Sequence, residues 1–248
     1  MADVTNLRSP AEAGLSKLFE SARQSFASET AIAREEAFRF FEATGLPSRR
    51  VEAFKYTDLR AAITDAAPPA DAPSLEVAKA AVAQAKGFSG IEAARLTFVN
   101  GHLIGELSDL DAIPEGVTVV PMSEALAQGH AGLKQLAPVA QARENPVYQL
   151  NTAFLADGAV ITVAAGAKPV RPLHLRFVGT GDAPFSTATR VLVQLGEGAE
   201  FSLLESHEGT DGLTCQPNDA LDVVVGPKAA FRHTRLNIEG DATIALST

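Results

Sequence analysis

Glu205, His207 and Cys215 are the residues whose types and spacing come closest to a chemical site in this chain. Glu205 and His207 stand two apart on a strand-like run, which turns both side chains to one face. With Cys215 they offer a carboxylate, an imidazole and a thiol, a donor set that a transition metal accepts. A closed site takes three or four ligands, and only these candidates are local. The plainer reading, and the favoured one, is a solvated outer face beside a loop cysteine. His174 and His233 would join only if successive strands stacked in register and put the histidines in one column.

Cys215 as a nucleophile would need a neighbouring base and a lowered pKa. Its flanks, Leu213-Thr214 and Gln216-Pro217, supply neither, so a plain loop thiol is expected. Gly196-Glu197-Gly198 is only a GxG; Phe201 breaks the dinucleotide fingerprint, and the triplet lies between two strand-like runs. No GxxxxGK[ST] loop occurs. His207-Glu208 lacks a second histidine, because position 211 is Asp211. Arg49-Arg50 with Lys55 and Arg60 form a basic patch that could hold an anion or a partner. Glu52 and Asp58 lie among them, and a salt-bridged surface is the favoured reading. No catalytic, cofactor-binding or metal residue is therefore assigned.

The elements that must position these residues belong to an acidic chain. Its 248 residues carry 21 Lys and Arg against 30 Asp and Glu, a formal charge of −9. Hydrophobic residues make up 46% and charged residues 21%, the balance of a soluble globular protein and not of a disordered one. The acidic balance argues against a nucleic-acid surface. Trp is absent, so stacking platforms for bases or sugars are scarce. One cysteine excludes an internal disulfide framework and fits a reducing compartment. The N-terminus lacks a basic-then-apolar leader, and no apolar run reaches membrane-spanning length. A cytoplasmic protein with no membrane partner is expected.

Residues 1–65 read as helical. Ser9-Pro10 signals a helix start, and Leu15, Leu18, Phe19, Ala22 and Phe26 form one stripe. A second helix is expected after Thr30, with Ala33, Ala37, Phe40, Phe41 and Thr44 on one face and Gly45 and Pro47 as its stop. Residues 66–90 form an Ala/Pro-rich linker with a short helix capped by Ser74 and ending near Ala85. Residues 91–145 are mixed α/β: a strand at 96–99, a hairpin turn at Asn100-Gly101, a strand at 117–120, and a brief helix from Ser123 to Gly129. Residues 146–248 are read as the β core.

In that core, paired β-runs alternate with small-residue turns. Val160–Val163, Val191–Leu195 and Leu221–Val225 each precede a turn, at Gly166, Gly198 and Lys228, and a second run follows each. The interval is about 30 residues, a spacing that suits stacked coils. Val163, Leu195 and Val225 would then be equivalent inward positions. The spacing alone leaves an antiparallel β-sandwich equally open.

One segment carries a family resemblance. Gly45-Leu46-Pro47-Ser48-Arg49-Arg50-Val51-Glu52-Ala53-Phe54-Lys55-Tyr56-Thr57-Asp58-Leu59 resembles a motif of the SufB/SufD family of the SUF iron–sulfur assembly scaffold. Its motif residues here are Arg49, Arg50, Glu52, Lys55, Tyr56, Thr57 and Asp58. Phe54 stands where Trp is usual, so the indole N–H donor is missing. Phe98-Val99-Asn100-Gly101, Leu150–Gly158 and Leu195–Ala199 match further. The helical region before the repeats points to the SufD branch.

The resemblance implies a mainly β fold with N-terminal α: a helical domain, then a right-handed parallel β-helix. This tips the balance toward the β-helix, with the antiparallel β-sandwich as the alternative. It also implies a non-enzymatic scaffold that pairs with SufB and the ATPase SufC, the iron–sulfur cluster being transient in the complex and not bound by this chain alone. Most partner-contacting regions and the family's cluster-forming His and Cys would lie beyond Thr248, so none is assigned here. The last coil, around Phe231 to Leu246, is expected to offer an open apolar end and self-associate. Competing functions are a polysaccharide-acting β-helix enzyme, which would want paired carboxylates and aromatic platforms, and an autonomous binding module.

Overall fold

The computed structural model describes residues 8–26, 28–128 and 140–248. Its first helix, α1 (Pro10–Ala22), begins where the sequence signals it. Ser9 Oγ accepts the Glu12 N–H at 3.2 Å, and the Glu12 carboxylate accepts the Ser9 N–H at 2.6 Å, a reciprocal capping box. The buried Glu12 also reaches a second partner. Its Oε1 accepts the Leu46 N–H at 2.9 Å, which ties α1 to the chain leaving α2 (Ser28–Thr44).

Helix α2 starts before Thr30, and its buried face is not the expected one. Arg34, Ala37, Phe38 and Phe41 are buried, while Ala33 and Thr44 are exposed. Aromatic packing sets the rotation. Phe38 stacks on Phe19 at 4.0 Å between centroids, and Phe154 meets both rings edge-on. Helix α3 (Leu59–Ala62) follows, and α4 (Leu75–Val82) is capped by Ser74 but ends short of Ala85.

The Pro-rich stretch is not a free linker. The Ser186 N–H donates to Pro68 O at 2.8 Å, and the Ala70 N–H donates to Ser186 O at 2.9 Å. Proline lacks an N–H, so it fits a sheet only through its carbonyl, as here.

Strands β1 (Ala94–Val99) and β2 (His102–Leu103) form the expected hairpin, with Asn100 and Gly101 both at positive φ. Strand β3 (Val117–Pro121) leads into α5 (Met122–Gln128). Ser123, expected as a cap, lies inside that helix and donates its N–H to Asp157 Oδ1 at 3.0 Å. Gly129, its expected stop, lies outside the described residues. Helices α6 (Ala140–Arg143) and α7 (Pro146–Phe154) precede the β core, and the Asn145 side chain caps α7.

The core is a parallel β-solenoid, so the sandwich alternative falls. Strands β4 (Asp157–Val163), β5 (Leu173–Val178), β6 (Phe185–Leu195), β7 (Glu200–Glu208), β8 (Cys215–Val225) and β9 (Ala230–Ile238) alternate between two sheets, and β10 (Leu246–Ser247) is short. One sheet has the order β2-β1-β5-β7-β9, the other β10-β8-β6-β4-β3. All pairings between coils are parallel; β2 and β3 join antiparallel.

Val163, Leu195 and Val225 occupy one register column, as expected. The first two are buried and Val225 is half-exposed. Gly166, Gly198 and Lys228 turn the three corners with φ of 71°, 69° and 58°. Gly158 allows the closest approach between coils: a Cβ there would sit 1.9 Å from Arg190 O.

Inward residues of both sheets make the main core, including Leu96, Phe98, Ile161, Leu175, Val193 and Phe201. A second core joins α1 and α2 to α7 through Phe19, Phe38, Phe41 and Leu150. Among the described residues no helix is long and apolar enough to cross a membrane.

Candidate functional site

The solenoid interior changes chemistry along β7. Its inward residues run Phe201, Leu203, Glu205, His207. The first two belong to the apolar core, and the next two carry ionisable groups into it. Both are buried, which corrects the expectation of a solvated outer face. The shared face follows from strand alternation. Which face turns inward does not, since Leu204 and Ser206 suggest an inward face just as well.

His207 is held on three sides. Its ring stacks on Phe177 at 4.6 Å, and Phe177 stacks on Phe98 at 4.7 Å, a column fixed by the parallel register of β1, β5 and β7. Nε2 lies 2.5 Å from Glu205 Oε1, and Nδ1 lies 3.3 Å from Asp219 Oδ2 on the facing sheet. Glu205 also takes His233 Nε2 at 2.8 Å and Arg235 Nη1 at 2.9 Å. Asp219 Oδ1 accepts the Thr189 hydroxyl at 2.6 Å. Burial by itself pushes Glu205 up, but the hydrogen bonds from His207 and His233 and the charge of Arg235 prevail and hold it well below the usual carboxylate range.

This is a charge lock and not an open ligand set. Both ring nitrogens of His207 already face carboxylates, so neither is presented to an open site. Cys215 begins β8 as a buried strand residue, not the loop thiol expected, and packs with Phe185 and Leu213. It shares a pocket of about 40 Å³ with His207, Asp219 and Glu239. Burial, with Asp219 and Glu239 nearby, pushes its thiol up to about 12, far from a reactive thiolate. Among the described residues no group of three or more His, Cys, Asp or Glu is arranged to hold a metal ion.

The histidines do not share a column. His207 is in register with Phe177, His233 with Leu203, and His174 with Arg95 and Leu204. His174 lies on the outer face, where its Nε2 is 2.9 Å from Ser206 Oγ. Burial, helped by Arg95 and Arg176, lowers it to about 4. Ser206 donates on to Glu208, whose carboxylate accepts the N–H groups of Lys86 and Gly87 at 2.7 and 3.0 Å. That cluster pins the segment after α4 to the solenoid.

Sequence reasoning missed Asp219 and Arg235, and also the polar layer under α7. Arg190 is fully buried there, 4.0 Å from the Tyr148 ring, with Nε on Asn151 Oδ1 at 3.0 Å and Nη2 on Thr152 Oγ1 at 2.8 Å. The Tyr148 hydroxyl donates to Asp222 at 3.0 Å. The signal was present: Asn151 and Thr152 lie in the Leu150–Gly158 segment, where polar residues break an apolar helix face.

The motif at 45–59 turns most of its polar residues to the surface and buries Leu46, Pro47 and Leu59. Lys55 pairs with Glu52 at 2.7 Å and sits 5.3 Å from the Tyr56 ring, and Tyr56 is 87% exposed. Thr57 is exposed. Asp58 caps α3 by accepting the Ala61 N–H at 3.1 Å. Arg60 turns away to Glu12 at 3.5 Å. Arg49 and Arg50 are exposed and form no ion pair among the described residues, so of the expected bridges to Glu52 and Asp58 the one present there is Lys55 to Glu52.

The SufBD protein N-terminal region, as a family model, matches residues 10–175. A curated relative from Synechocystis sp., an iron–sulfur cluster assembly SufBD family protein, is 28% identical over 213 residues. The match covers 82% of this chain and 46% of that protein, so the chain spans about half the length of the curated relative.

Proposed function

The chain belongs to the SufBD family, and on that premise we propose that it is a non-enzymatic scaffold subunit in iron–sulfur cluster assembly, of the SufD type. Its partners in this reading are SufB and the ATPase SufC, in the cytoplasm. The iron–sulfur cluster is the cargo of the complex. The observation that carries the reading is the state of the reactive groups. Glu205, His207, Asp219 and Arg235 are engaged with one another inside the solenoid, and Cys215 is held as a neutral thiol. Side chains spent on each other in this way stiffen a frame and are not free to attack a substrate.

A stacked parallel coil suits such a frame, because each coil is fixed by backbone pairing to its neighbours. The surface motif, with Arg49, Arg50 and Tyr56 outward, is a natural contact for a partner, since Arg and Tyr dominate binding hot spots. Co-expression with SufB and SufC from the same source, followed by size exclusion, tests the assembly. A three-component complex is expected; a chain that elutes alone sinks it. Anaerobic reconstitution of the isolated chain with iron and sulfide tests the scaffold reading. No stoichiometric cluster is expected, and a cluster lost in Cys215→Ser would overturn it.

A further inference from the structure

Between α4 and β1, residues 86–91 cross the outer face of the solenoid as a strap held by few contacts. Gly87 is buried and Phe88 half-buried, while Lys86, Ser89, Gly90 and Ile91 are exposed. The Glu208 carboxylate accepts the Lys86 and Gly87 N–H groups, and Arg95 Nη2 donates to Ile91 O at 2.8 Å. Phe88 has a φ of 51°, a left-handed conformation that a bulky residue seldom adopts. Its ring meets His174 edge-on at 5.4 Å. Gly87 lies so close that a Cβ there would sit 2.6 Å from Ser206 Cβ.

His174 is fully buried under this strap, and hydrogen-bond directions set its protonation. Ser206 has one hydroxyl hydrogen, which it gives to Glu208 at 3.2 Å. His174 Nε2, 2.9 Å from the same oxygen, is therefore the donor. Nδ1 is buried with no hydrogen-bond partner, so it is the bare nitrogen of a neutral ring. A charged ring would bury an Nδ1–H with no acceptor, which is costly. It would also add a cation beside Arg95 on β1 and Arg176 on β5. The remaining charged groups around the cluster offer little relief. Glu208 is shared among three donors, Asp109 accepts the Arg95 N–H, and Lys86 brings a further cation on an exposed side chain.

We propose that residues 86–91 form an acid-released latch: His174 takes up a proton only when the strap lifts, so a falling pH favours the lifted state. Lifting uncovers His174 and Ser206 on the outer face of the sheet. The sign follows from the two states. Under the strap, burial with Arg95 and Arg176 lowers His174 to about 4, whereas an uncovered histidine titrates near its ordinary value of about 6.5. The lifted state binds the proton more tightly, and closure weakens as pH falls through that interval. The latch does not rest on the scaffold reading.

Hydrogen exchange of the full chain, corrected for the intrinsic effect of pH, tests this. Protection of the Lys86 and Gly87 amides should fall about 30-fold from about pH 7.5 to about pH 5. At each pH it should stay below that of Val191 and Val193 in β6, because the strap lifts without unfolding the coils. His174→Gln, which keeps a donor towards Ser206 but does not titrate, should reduce the change to under about twofold. Glu208→Gln should lower protection throughout and keep the slope. Nitrogen NMR of the imidazole in the unaltered chain should show a neutral ring, protonated at Nε2, down to about pH 5. Protection independent of pH, strap amides as protected as those of β6, or a slope that survives in His174→Gln overturns the proposal. So does a ring that is charged at about pH 6 or protonated at Nδ1, a readout that stands even if the variants do not fold.

Discussion

The polar end of the solenoid and the surface motif are built from much the same residue types and behave in opposite ways. Inside, Arg235, Glu205, His207 and Asp219 are locked together, with Glu205 and His207 almost fully buried. Outside, Arg49 and Arg50 project into solvent without an ion pair among the described residues. A buried charge must find its partner within the chain, since desolvation without one is prohibitive. An exposed charge costs little to leave alone and stays available to another molecule. Residue type alone therefore does not separate structure from function here; desolvation does.

The strongest way to break this contrast is Glu205→Ala. It takes the carboxylate from His233 and leaves His207 and Arg235 with Asp219 alone, and should cost about 3 kcal/mol of unfolding free energy. Urea unfolding measures it; a loss under about 1 kcal/mol would mean that the lock is weaker than its burial implies. The pH dependence sharpens the same point. Glu205 is depressed in the folded state relative to an ordinary value of about 4.3. Its contribution is thus complete above that value and is lost as pH falls below it. Stability should decline through the acid range, and Glu205→Gln should flatten that decline; an unchanged slope in the variant would count against the lock.

Cys215 gives a smaller effect. With its thiol pushed up to about 12, alkylation by iodoacetamide at mild alkaline pH should be slow in the folded chain and fast in urea. Rapid labelling of the native protein would contradict its burial. At the far end, Arg49→Ala with Arg50→Ala should move unfolding by less than about 0.5 kcal/mol. The same pair should weaken association in the co-expression assay. A large stability loss would show these arginines to be structural after all.

The start of α1, the Ser74 cap of α4, the hairpin at Asn100-Gly101 and the coil equivalence of Val163, Leu195 and Val225 were legible in the sequence, because each depends on local chemistry or a short repeat. The rotation of α2 was not, because Phe154, more than a hundred residues on, decides it. The site was half legible. Glu205 and His207 do meet, as their spacing required. That they point inward depends on Asp219 and Phe177, which reach them only once the coils are stacked. The Pro-rich segment misled for a similar reason. Its carbonyls find Ser186 across a separation that no local pattern encodes.

The packing of α2 against α7 has a consequence for how the protein is made. The face of Phe38 and Phe41 leaves the ribosome roughly a hundred residues before Leu150 and Phe154, which cover it. At about 5–20 residues per second, that face stays bare for on the order of ten seconds during synthesis. The coils beyond it pair only at intervals of about 30 residues and can assemble rung by rung as they emerge. The helical layer is therefore translated first and docked late, and the interval before α7 arrives is when a nascent chain of this protein most needs a holding chaperone.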